Sequence, residues 1–197
     1  MKENEYLSMA QEMITTNDYT TRRIYFYGAF EEAPEMKIYP QLPLVSYQTL
    51  IAWKILGDNL WGPRLFNVLF GVMSILVIYR IGGLVFQGRG AALFCAFLLA
   101  VMPLAVFFSR NLQPESPAFF FMLLGNLFYL KFIATLKKYN LILGGLSFSL
   151  ACIYKLNFLF GAIPFIFCFP FKTLFKEKKE FFRCAFILLP INKVGAN

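Results

Sequence analysis

An all-α, polytopic membrane protein is predicted from three observations. The 197 residues are 58% hydrophobic with only 15% charged, and the long apolar runs all lie after residue 60. A soluble domain of this length cannot bury so much apolar surface in one core. The charge is also segregated. Residues 1–60 hold eight acids against five bases, so the net +8 is concentrated, as +11, in the apolar remainder.

The first 60 residues read as a loop carrying amphipathic helices that lie against the membrane. Tyr6, Met9, Ala10 and Met13 follow helical i, i+3, i+4, i+7 spacing, and Leu44, Tyr47, Ile51 and Ile55 form a second stripe. Both stripes are expected to pack on the membrane domain. Asn17-Asp18, Gly28 and the stretch from Pro34 to Pro43 interrupt regular structure between them. Trp53 and Trp61 suit the headgroup level.

Residues 61–197 form the transmembrane helical domain, with spans read near 63–86, 90–108, 116–136, 141–154, 158–171 and 181–191. Lys155 and Asn157 divide a run too long for one crossing into 141–154 and 158–171. Each half is shorter than the roughly 20 residues a bilayer needs, so a re-entrant pair is the alternative. Gln87–Gly90, Lys137-Lys138 and the Lys-rich 172–183 segment alternate with 109–115 and 155–157. Positive-inside logic puts the Lys-rich set in the cytoplasm and residues 1–60 on the extracytoplasmic side of a multi-pass cell-membrane protein. The basic excess is then a topology signal, and no nucleic-acid partner is expected because the basic loops lack a binding module. Met1 is followed by a charged stretch rather than a signal peptide, so the chain is expected to be truncated at both ends, without a first membrane helix.

The absence of His removes triads and imidazole acid–base chemistry. Cys95, Cys152, Cys168 and Cys184 each sit alone in apolar runs and read as small hydrophobes. Proton transfer falls to carboxylates, Lys, Tyr or Cys. Ionisable groups beside apolar helices are expensive unless paired or functional. That singles out Glu3 and Glu5, Arg110 to Glu115, and Lys155. Carboxylates and cations at one lipid–water boundary suit phosphate chemistry: a carboxylate deprotonates a hydroxyl while Arg or Lys holds a phosphate leaving group.

Four segments in order, YPQLPL at 39–44, WGPRL at 61–65, FSRNLQPE at 108–115 and YKLN at 154–157, resemble the membrane-embedded GT-C glycosyltransferases of the protein O-mannosyltransferase and aminoarabinose transferase superfamily. The resemblance implies an inverting transfer of a hexose-type sugar from a polyprenyl-phosphate donor to a protein, lipid or glycan acceptor outside the cell. Relatives are two to three times longer, which implies an N-terminal portion, expected to be inactive alone. Aligning Tyr6, Ala10 and Met13 to the family pattern places Glu3 on the second acid of an acidic pair, with Lys2 where Asp is common; Glu5 fits only if the register slips. The resemblance makes Glu3 and Glu115 the catalytic carboxylates and Arg110, Lys155 and Arg64 the donor-phosphate contacts, with any divalent metal unassigned. Plainer roles stand beside these: Arg64 as a snorkelling anchor, an Arg110–Glu115 pair across a short loop, Lys155 as an interface marker, Glu3 as a solvated terminal residue.

Two other classes compete. A transporter or lipid-binding membrane protein predicts ionisable groups around a midplane cavity and broken helices, towards which only the Lys155–Asn157 break leans. A structural membrane subunit predicts that Glu3, Arg110, Glu115 and Lys155 are all replaceable.

Overall fold

A computed structural model describes residues 2–20, 23–26, 35–38 and 42–163. Seven α-helices are present there: α1 (Lys2–Thr16), α2 (Leu44–Leu56), α3 (Trp61–Phe86), α4 (Arg89–Val101), α5 (Pro103–Arg110), α6 (Glu115–Thr135) and α7 (Lys138–Tyr154). A 3₁₀ helix, Leu156–Ala162, follows α7. Strands β1 (Arg23–Phe26) and β2 (Glu35–Ile38) pair antiparallel, with Arg23 opposite Ile38 and Phe26 opposite Glu35. The sequence pattern predicts irregular structure there. Glu35–Ile38, inside the stretch from Pro34 to Pro43, is instead a strand, and each strand is too brief to reveal a period of two.

Among the described residues, α3 and α6 are long and apolar enough to cross a membrane, and the α4–α5 pair makes a third candidate if taken as one bent span. The predicted span 90–108 is therefore broken, by 59° at residue 102. Pro103 explains it: the ring disfavours helical geometry at the residue before it, and Met102 is extended (φ −64°, ψ 116°). α7, with 17 residues, covers the predicted 141–154 run but is short for a crossing. The 158–171 run is a 3₁₀ helix as far as Ala162 and then leaves the described residues, where 181–191 also lies.

The bundle closes through small residues and aromatic rings. A Cβ on Gly82 would sit 3.0 Å from Ala92 Cα, so α3 and α4 meet almost backbone to backbone. A Cβ on Gly125 would collide with the Phe148 ring, which presses α7 on α6. Phe70 of α3 lies 5.5 Å from Phe120 and 5.7 Å from Phe121 of α6, and Phe121 stacks on Tyr154 of α7 at 6.0 Å. Away from these contacts α3 is bare, with Leu69, Val72, Leu76 and Val85 exposed. That is the surface expected of a helix facing hydrocarbon.

α1 and α2 pack together beside this bundle. The first predicted stripe is buried throughout: Tyr6, Met9, Ala10 and Met13 are at most 3% exposed. The second is split, with Tyr47 packed on Met9 and Met13. Ile51 and Ile55 point outward, and α2 packs instead through Val45, Ser46, Gln48, Thr49 and Ala52. Small and polar side chains permit the close approach, and Ser46 Oγ donates to Tyr6 O at 3.2 Å. α2 ends at Gly57, whose φ of +82° only glycine adopts without strain. Asn59 then accepts from Gly62 N–H at 2.7 Å and starts α3.

Candidate functional site at one end of the bundle

α3 and α6 begin, and α5 and α7 finish, at the same end of the bundle, and the predicted site residues meet there. Arg64, one turn into α3, donates from Nε to Glu3 Oε1 at 2.7 Å. Lys155, just past α7, donates from Nζ to Glu115 Oε1 at 2.6 Å. The pairing considered from sequence, Arg110 with Glu115, does not form. Arg110 at the end of α5 is exposed and has no ion pair among the described residues.

The two carboxylates are held differently. Glu3 rides on α1, whose Tyr6 packs with Val45 of α2 and Leu112 of the α5–α6 turn. Glu115 opens α6, where a carboxylate favours the free N–H groups of the first turn. Its Oε2 is buried and has no hydrogen-bond partner. An unpartnered buried carboxylate oxygen is costly, and it is an open acceptor.

Two cavities meet at this place. One, of about 710 Å³, is lined by Arg64 and Arg110 together with Asn59, Trp61, Val68 and Asn111. The other, of about 370 Å³, is mainly apolar, runs between α3, the α4–α5 bend and α6, and has Glu115 and Ser116 in its wall. Val68 lines both. The pair of cavities thus offers two guanidinium groups on one side of Val68 and a carboxylate on the other. Arg64 spends one of five N–H donors on Glu3, which leaves the rest of its fork available. Glu5 forms no ion pair among the described residues. No group of three or more His, Cys, Asp or Glu side chains converges among them either.

Sequence reasoning passed over Asn67 and Gln48. Asn67 is fully buried on α3, and its Nδ2 donates to Asn111 O at 2.6 Å and Gln113 O at 2.9 Å. Its backbone oxygen accepts from Ser116 Oγ at 2.9 Å. Gln48 of α2 accepts from Tyr154 OH at 3.4 Å. A signal for Asn67 existed: a polar amide nearly two turns inside an apolar helix needs a partner.

This helical bundle, with the Glu3–Arg64 and Glu115–Lys155 pairs at one end beside adjoining polar and apolar cavities, carries a GT-C-like glycosyltransferase domain by its sequence match. The chain belongs to the dolichyl-phosphate-mannose-protein mannosyltransferase family, whose sequence model matches residues 40–193. It is similar to the protein named "Putative mannosyltransferase YycA" of Bacillus subtilis (strain 168), with 27% identity over 161 residues. The match covers 82% of this chain and 23% of that relative, so the chain spans about a quarter of the relative's length. No solved structure matches significantly.

Proposed function

We propose that this chain contributes the donor-phosphate and acceptor-activating end of a membrane glycosyltransferase that moves a hexose-type sugar, mannose by family, from a polyprenyl-phosphate donor to an extracytoplasmic acceptor. One observation carries the reading: Arg64 and Arg110 share a cavity wall, and the adjoining cavity carries Glu115 with an unpaired buried oxygen. Two guanidinium groups suit a phosphate bidentately, and the apolar cavity suits the first part of a prenyl tail.

In the proposed reaction the acceptor hydroxyl gives its proton to a carboxylate, first Glu115 Oε2 and second Glu3. Its oxygen forms the new bond to the anomeric carbon from the face opposite the phosphate. The bond from that carbon to the phosphate oxygen breaks, and the polyprenyl phosphate leaves with one more negative charge than the diester carried. Arg64, Arg110 and Lys155 stabilise that added charge, which is where fixed cations act most strongly. Arg64, Arg110, Glu115 and Lys155 all stand at helix ends and not in the middle of a span, which supports this chemistry over transport, which calls for ionisable groups at the midplane.

Membranes holding the full-length protein, incubated with labelled polyprenyl-phosphate mannose, are expected to transfer label to protein, lipid or glycan. Arg110→Ala and Glu115→Ala are each expected to abolish most of it. Transfer that persists in both variants would remove these residues from the mechanism.

A further inference from the structure

We propose that Asn67 is a positioning residue that sets the separation of Arg110 and Glu115, and so the alignment of donor phosphate with acceptor hydroxyl. The inference rests on the transferase reading above. Its basis is the way α3 grips the turn between α5 and α6 at both ends. At the near end, a Cβ on Gly71 would stand 2.7 Å from Ser109 Cβ, so α5 finishes in close contact with α3 and Arg110 is aimed by that contact. Along the turn, Asn67 gives its two amide hydrogens to the carbonyls of Asn111 and Gln113, and Ser116 closes the far end on the Asn67 carbonyl. Arg110 directly precedes the first of these bonds, and Glu115 directly precedes the last.

The chemistry permits only one orientation of the amide. Both partners are carbonyl oxygens, so a flipped Asn67 would set its oxygen against two others. In the orientation adopted, Asn67 Oδ1 is buried without a partner. Two directional bonds from this one group to carbonyls two residues apart fix the course of a turn that carries two site residues. The same α3 turn supplies Arg64 three residues earlier and Val68, common to both cavities, one residue later. A shift of the turn therefore moves Arg110 and Glu115 relative to Arg64.

The test is made on the full-length protein in proteoliposomes with labelled polyprenyl-phosphate mannose, with rates given per folded molecule. Asn67→Asp keeps the size but faces two carbonyls with oxygen, and is expected to lower kcat about 100-fold, the scale of an ångström-sized misplacement, with KM for the donor unchanged. Ser116→Ala removes only the outer bond and is expected to lower kcat less. Combined with Asn67→Asp it is expected to add little, since both break one clasp. Wild-type kcat in Asn67→Asp, with only the yield of folded protein reduced, would overturn the positioning role. So would wild-type kcat in Ser116→Ala, which decides the matter if Asn67→Asp does not fold. Arg110→Ala and Glu115→Gln run in parallel separate the two claims. If they are impaired while the Asn67 and Ser116 variants are not, the clasp proposal alone fails; if all four transfer normally, the transferase reading fails with it.

Discussion

Glu3 and Glu115 each meet a cation within 2.7 Å, yet they are positioned by different forces. Glu3 sits on a helix docked by apolar contact: Met9 and Met13 are fully buried, with Tyr47 and Leu50 packed against them. Glu115 sits at the end of a turn held by directional hydrogen bonds to α3 and keeps one buried oxygen unpaired. Apolar docking is strong but non-directional, and tolerates small slides. A hydrogen-bonded turn is weaker in total but fixes direction. In the proposed reaction the two acids are therefore not interchangeable: the clasped one would receive a proton at a defined point, and the docked one would hold Arg64 in place.

Breaking that distinction at its chemical end carries the largest expected effect. Glu115→Gln removes the open basic oxygen and keeps the shape, and is expected to reduce sugar transfer by about 10²–10⁴-fold, the usual contribution of a general base. Glu3→Gln is expected to reduce it by less and to raise KM for the donor, because Arg64 loses its orienting partner. Initial rates over a donor concentration series check both. Equal losses of kcat in the two variants would erase the ranking.

On the packing side, Met9→Ala is expected to loosen α1 by about 2–5 kcal/mol, the range for emptying a buried Met site. Hydrogen exchange should rise across α1 and remain unchanged in α6. If α6 exchanges faster as well, the two carboxylates belong to one cooperative unit and not two.

The ion pairs sharpen the comparison at smaller magnitude. Lys155→Met leaves a mostly buried Glu115 without its cation, and is expected to cost about 2–3 kcal/mol, somewhat below a fully buried pair. Arg64→Met breaks the pair whose cation is 37% exposed, and is expected to cost less, about 1 kcal/mol. Chemical or thermal unfolding in detergent measures the difference.

Much of this arrangement was legible in the sequence, and the failures have physical causes. The apolar runs of α3 and α6 stood out because their length and hydropathy are local properties. Arg64, Arg110, Glu115 and Lys155 could be assigned to one end because the spans alternate direction and each residue borders one. Pairing was not legible. Glu3 and Arg64 are 61 positions apart, and nothing local says which carboxylate takes which cation. On α2 the bulky pair Ile51 and Ile55 looks like part of a core, whereas close packing on α1 favours Ser46, Thr49 and Ala52. At Pro103 the apolar pattern ran on across a residue that the backbone could not follow as helix. Asn67 was hidden by its apolar neighbours, though its cost of burial marked it.

Salt separates the pairs with the smallest effect. The Debye length falls from about 8 Å at 0.15 M to about 3 Å at 1 M, and screening acts on charges that water reaches. Arg64 is 37% exposed and Lys155 25%, with Glu3 and Glu115 at 19% and 13%, so the first pair is the wetter at both partners. Raising NaCl to about 1 M is expected to weaken the docking of α1 by a few tenths of a kcal/mol, read as slightly faster exchange in its first turn. The turn from Asn111 to Ser116 should not respond, because its bonds join neutral groups. Faster exchange in that turn at high salt would mean that the Lys155–Glu115 pair, and not the Asn67 clasp, holds it in place.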